Sequence, residues 1–151
     1  MMHHNRPPSA RVLPTMLLAA LLASISACGD DAPAAGGSGL NGCTDALFVD
    51  RTATGADRTV AFGAGSMPFA YAPKCITVAA GQTVTFMGDF NVHPLAPGTS
   101  PAAPDAGTAG NPIPRAGSGT MTQVTFPTAG TYPYYCVFHY GGGMVGAVRV
   151  R

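Results

Sequence analysis

The chain has 151 residues, with eight Lys or Arg against seven Asp or Glu and a formal charge of +1. That length suits a single domain, and so even a balance, without clustered basic residues, argues against nucleic acid as a partner. It also leaves little long-range field to steer charged partners.

Arg6 and Arg11 precede an apolar run, V-L-P-T-M-L-L-A-A-L-L-A-S-I-S-A, that stops at Cys28. The run is short for a membrane span, which needs about 20 apolar residues. A basic start, a short apolar middle and small residues at the break describe a secretory signal over residues 1–27. The sequence Ile25-Ser26-Ala27-Cys28 resembles the lipobox of bacterial lipoproteins. That likeness implies a lipidated Cys28 at the mature N-terminus, carrying more than one acyl chain, since one alone anchors only marginally. The expected location is exported, in the cell envelope or periplasm, lipid-anchored to a membrane. The competing reading is a signal cleaved elsewhere, with Cys28 free or disulfide-bonded. Beyond residue 27, six basic residues face seven Asp, and there is no Glu or Trp.

Residues 28–42 then read as a flexible linker. Gly, Pro, Ala and Asp dominate it, and such composition buries too little apolar surface to offset the entropy of ordering. Its typical span of roughly 20 Å would hold a domain just off a membrane.

From Cys43 to Arg151 the pattern is all-β. Short runs rich in Val, Thr, Phe and Tyr alternate with Gly- and Pro-rich breaks. The expected strands cover residues 47–50, 59–62, 75–78, 83–86, 123–126, 131–136 and 145–150, with tight turns at 79–82 and 127–130. No window after the signal sustains helical periodicity. Seven to eight short strands in this length predict a Greek-key β-sandwich. Residues 96–119 interrupt the rhythm as a long Pro/Gly/Ala loop with Ile113 its only large aliphatic residue. Loops of that length are functional or loosely ordered, and the sequence does not choose between them. Met67, Met87 and Met121 are expected in the core, and Tyr132, Tyr134 and Tyr135 as packing residues on a strand.

The cysteines are Cys28, Cys43, Cys75 and Cys136. Exported proteins pair their thiols. If Cys28 carries lipid, pairing Cys43 with Cys75 leaves Cys136 over, and an odd cysteine in an exported chain calls for an explanation such as metal ligation. A Cys28–Cys43 bridge is the alternative. His3 and His4 lie in the signal, so the mature chain has only His93 and His139.

Cys136, His139 and Met144 form C-x2-H-x4-M where a strand runs into a Gly-rich loop, and His93 follows the strand T-V-T-F-M-G upstream. Glycines 141–143 let the backbone turn sharply enough to present three side chains from one short loop. Two imidazoles, a thiolate and a weak axial thioether are the ligand pattern of blue-copper electron-transfer sites. The bland reading is a buried strand end, with Cys136 a small hydrophobe and Met144 filler.

The segment G-T-Y-P-Y-Y-C-V-F-H-Y-G-G-G-M-V-G-A-V-R-V resembles the C-terminal signature of cupredoxins, in the plastocyanin, pseudoazurin and halocyanin-like branch. The likeness runs from about residue 75 to 151. It implies one type 1 copper cycling between Cu(II) and Cu(I), with His93, Cys136 and His139 equatorial and Met144 axial. It implies no enzymatic turnover, a monomer, and redox proteins as partners, such as a c-type cytochrome or a membrane electron-transfer complex. Pro94 stands where relatives often have Asn, and Phe138 where they often have Pro before the second His; both changes touch the hydrogen bonds around the ligands. The expected docking rim is Pro94, Leu95, Phe138, Tyr140 and the loop glycines. Copper delivery or storage is the second reading, because it needs exchangeable, exposed Met- or His-rich sites while one Cys and two His at this spacing suit a closed one; a multicopper enzyme would need more His than the mature chain has.

Overall fold

The computed structural model describes residues 39–65 and 68–151. The signal segment 1–27, Cys28, most of the linker and Met67 lie outside them.

Nine strands form two sheets. They are β1 (Val49–Asp50), β2 (Thr59–Phe62), β3 (Tyr71–Ala72), β4 (Cys75–Val78), β5 (Thr83–Met87), β6 (Leu95–Pro97), β7 (Met121–Thr125), β8 (Gly130–Cys136) and β9 (Val145–Val150). The first sheet has the order β1-β4-β9-β8-β6 and the second β3-β2-β5-β7. Both are mixed: β1, β4 and β9 run parallel, as do β2 and β5, while the other neighbours are antiparallel. Parallel neighbours cannot be joined by hairpins, so the chain crosses between the sheets and the result is a Greek-key sandwich. Nine strands exceed the seven to eight expected. The two without a sequence signal, β3 and β6, are two and three residues long and flanked by proline, too short to show a period of two.

Alternation explains which side chains fill the sandwich. In β5, Val84 and Phe86 point inward while Thr83 and Met87 are exposed. Val60, Phe62, Ile76, Val78, Val124, Phe126, Tyr132, Tyr134 and Val148 complete the core from both sheets. Tyr132, Tyr134 and Tyr135 are all buried. By contrast, β8 is buried on consecutive positions from Tyr132 to Cys136; the 98–119 segment runs along its edge, and Tyr135 packs against Tyr140. Thr108 and Thr131 exchange hydrogen bonds of 2.7 and 2.9 Å, Asn111 donates to the Pro133 carbonyl at 2.8 Å, and Ile113 reaches the core. Ala116 bridges Leu95. The long loop is thus an ordered strap along the edge of the sheet that carries the site.

The end of the expected linker is folded as well. Leu40–Gly42 forms a 3-10 turn. Asn41 adopts φ of 57°, a left-handed conformation that Asn tolerates better than most residues, and its amide donates to the carbonyls of Tyr134 at 2.7 Å and Gly146 at 2.8 Å. Each such bond contributes about 0.5–1.5 kcal/mol. Immediately after this turn, Cys43 is bonded to Cys75, with Cα atoms 5.7 Å apart. Met87 and Met121, expected in the core, are instead 47% and 58% exposed, since each falls on the outward side of its strand.

Candidate metal centre

His93 leaves β5 through a tight turn. The Asp89 carboxylate accepts the Asn91 N–H at 2.9 Å, and the Asp89 carbonyl accepts the His93 N–H at 2.9 Å. The imidazole is buried among aromatic rings, with Phe62 edge-on at 6.1 Å and Phe69 at 6.0 Å between centroids. Gly63 lies against its Nε2 side: a Cβ there would come within 3.0 Å of His93 Cδ2 and 3.3 Å of Nε2. This packing turns Nδ1 toward Cys136.

Cys136 ends β8 and is fully buried, with a free thiol. The following loop closes on itself through its backbone. His139 N–H donates to the Cys136 carbonyl at 3.3 Å, Met144 N–H to the His139 carbonyl at 3.1 Å, and Cys136 N–H to the Met144 carbonyl at 3.0 Å. A 3-10 turn over Tyr140–Gly142 and a left-handed Gly143, with φ of 91°, complete the ring. Met144 is buried with them. Val137 N–H donates to the Pro94 carbonyl at 2.8 Å. The two ligand loops are therefore tied by backbone despite Pro94, which offers a carbonyl where it lacks a side-chain donor.

Three donor atoms converge. His93 Nδ1 and His139 Nδ1 are 3.1 Å apart, and Cys136 Sγ lies 3.3 Å from His139 Nδ1 and 3.9 Å from His93 Nδ1. Atoms with those separations lie on a circle of radius about 2.0 Å, against typical metal–nitrogen and metal–sulfur bonds of roughly 2.0–2.3 Å, zinc serving as the measure. Two imidazoles and a thiol also form a borderline-to-soft donor set that suits copper. On both counts the residues fit a single transition-metal ion.

Electrostatics favour the neutral forms of His93 and Cys136 before an ion binds. Burial first, then the neighbouring His139, holds His93 below its ordinary pKa, with Asp89 opposing. Burial pushes the Cys136 thiol up, opposed by the Phe138 and His139 N–H groups. A bound cation reverses this logic and favours the thiolate.

One ligand edge reaches the surface. His139 is half-buried, with Phe69 tilted over it at 4.7 Å between centroids. Phe138 is 64% exposed and Tyr140 40%, and Phe69 is exposed over His139. Leu95, expected on this rim, is 1% exposed: it pairs with Cys136 across β6 and β8 and points into the core. Phe69 had no signal in the sequence, being 70 residues from His139.

Residues 58–151 match the family described as copper binding proteins, plastocyanin/azurin family. The chain is 37% identical over 82 residues to plastocyanin of Prochlorothrix hollandica, spanning 54% of itself and 63% of that protein. It is 32% identical over 98 residues to plastocyanin of Scenedesmus fuscus, spanning 63% of itself and all of that protein. Among solved structures, a copper-containing nitrite reductase from Thermus scotoductus superposes with a TM-score of 0.48 at 22% identity, over 70% of this chain and 28% of that one.

Proposed function

The chain belongs to the plastocyanin/azurin family of copper-binding proteins, and on that premise we propose that it is a single-copper electron carrier. His93, Cys136 and His139 would hold the ion, with the Met144 thioether as a weaker fourth ligand. The observation that carries this reading is the convergence of the three donors within 3.1–3.9 Å. Bound copper would supply the one-electron Cu(II)/Cu(I) couple. The chain supplies a closed backbone ring that limits ligand movement, a buried thiol and imidazole that exclude water, and one partly exposed imidazole through which an electron can enter or leave. The test is optical: reductant should bleach the copper chromophore with one electron per chain, and oxidant should restore it. A bound copper that does not cycle would return the chain to delivery or storage. Burial of three of the four ligands already weighs against rapid metal exchange. Turnover of a substrate at further copper centres would need more imidazoles, and among the described residues both histidines are used.

The apolar rim around His139 is the proposed docking face for a redox protein such as a c-type cytochrome or a membrane electron-transfer complex, through a transient interface below about 1,200 Å². Phe138→Asp with Tyr140→Asp is expected to slow electron exchange with cytochrome c at least tenfold while leaving the copper spectrum unchanged. An unaltered rate would place docking elsewhere.

We also propose export and lipid anchoring, with residues 1–27 as signal and Cys28 as the acylated N-terminus. The apolar run, the I-S-A-C sequence and a disulfide suited to an oxidising compartment support it. The protein expressed in a bacterium should incorporate labelled palmitate and Cys28→Ser should not; a wild-type chain that takes up no label would sink the idea.

A further inference from the structure

The outward face of the four-stranded sheet is uncharged and regular. Thr83 opposes Thr125 and Thr85 opposes Gln123, and both rows bond across the strands, at 2.8 and 3.4 Å. The last row, at the end of β5 that leads toward His93, is Met87 opposite Met121. Burial does not explain this row, because both side chains are about half exposed and an apolar chain left in water forfeits its transfer free energy.

Directly opposed residues on antiparallel strands place their Cβ atoms roughly 4.5–5.5 Å apart, and each thioether sits on a flexible, unbranched side chain. Two sulfurs at about 2.3 Å from one ion are within that reach. Neutral thioethers are soft and select Cu(I) over hard cations.

We propose that Met87 and Met121 form a second, surface metal site, which takes Cu(I) between two thioethers. Binding there moves no electron and releases no proton, because both ligands are neutral. With two ligands and open solvent it is weaker than the buried centre, and it is independent of whether the protein carries electrons. Leu at either position keeps the bulk and removes the sulfur.

The full chain, labelled with 13C in its methionine methyl groups, is titrated anaerobically with Cu(I) supplied as its acetonitrile complex. Met144 is expected to shift with the first equivalent, and Met87 and Met121 together in a second, saturable step. Met121→Leu and Met87→Leu should each raise the dissociation constant of the second step at least tenfold and leave the first unchanged. Three results overturn the proposal: no shift at Met87 and Met121, a shift that never saturates, or an unchanged Met87 response in Met121→Leu. Failure of the buried copper site reads separately, as a silent Met144.

Discussion

Cys136→Ser is expected to abolish the intense visible absorption of the protein loaded with Cu(II), and with it the narrow copper hyperfine splitting in electron paramagnetic resonance. Both signals arise from a thiolate bonded to copper, and Cys136 is the sole free thiol among the described residues. A serine hydroxyl at the same place remains protonated and hard, so the variant keeps two imidazoles and loses the soft anionic ligand. Copper should also cease to protect the fold. A ligand at about 100 times its Kd stabilises the native state by roughly 2.7 kcal/mol, so the copper-induced rise in Tm should shrink sharply in the variant. The copper-free variant controls for folding: Cys136 is fully buried, and a hydroxyl left without a partner there costs about 1–3 kcal/mol. A pale spectrum that ignores the mutation would mean adventitious binding and defeat the electron-carrier reading.

Replacing both Cys43 and Cys75 by Ala should have the largest effect on stability without touching the colour. The bridge closes a loop between residues 32 apart in sequence, and the loss of that constraint raises the entropy of the unfolded chain by an amount worth about 3–4 kcal/mol. A fall in Tm on the order of 15 °C corresponds to that for a domain of this size. Cys43, Cys75 and Ala147 form their own small buried cluster beside Phe48, separate from the core that contains Cys136 and Met144. Urea unfolding of copper-free protein measures the first effect and the visible spectrum the second. A loss below about 1 kcal/mol would show that the 3-10 turn and Asn41 hold the N-terminal segment unaided.

Much of the site could be read directly because it is local. Cys136, His139 and Met144 lie within nine residues, and the glycines between them reveal a chain that turns back on itself. The strands were legible where they were four residues or longer and alternated inward and outward. The short β3 and β6 were not, since proline-flanked pairs and triplets carry no period. The core assignment of Met87 and Met121 overlooked a signal that was present: Phe86 points inward, so Met87 must point out. Leu95 was misplaced for the opposite reason. It adjoins His93 and Pro94 in sequence, but β6 pairs it with Cys136 and turns it beneath the site.

By itself the sequence determined the all-β class, the soft donor set and the loop that presents three of the four candidate ligands, because composition, period and short-range spacing are local properties of the chain. Only the tertiary structure decided what surrounds them. Phe69 over His139, the Pro94 carbonyl joining two loops, Asn41 spanning two strand ends and the facing pair Met87 and Met121 all depend on sheet register. Register is set by packing the two sheets together, and residues 23 to 105 positions apart meet only once that core has formed.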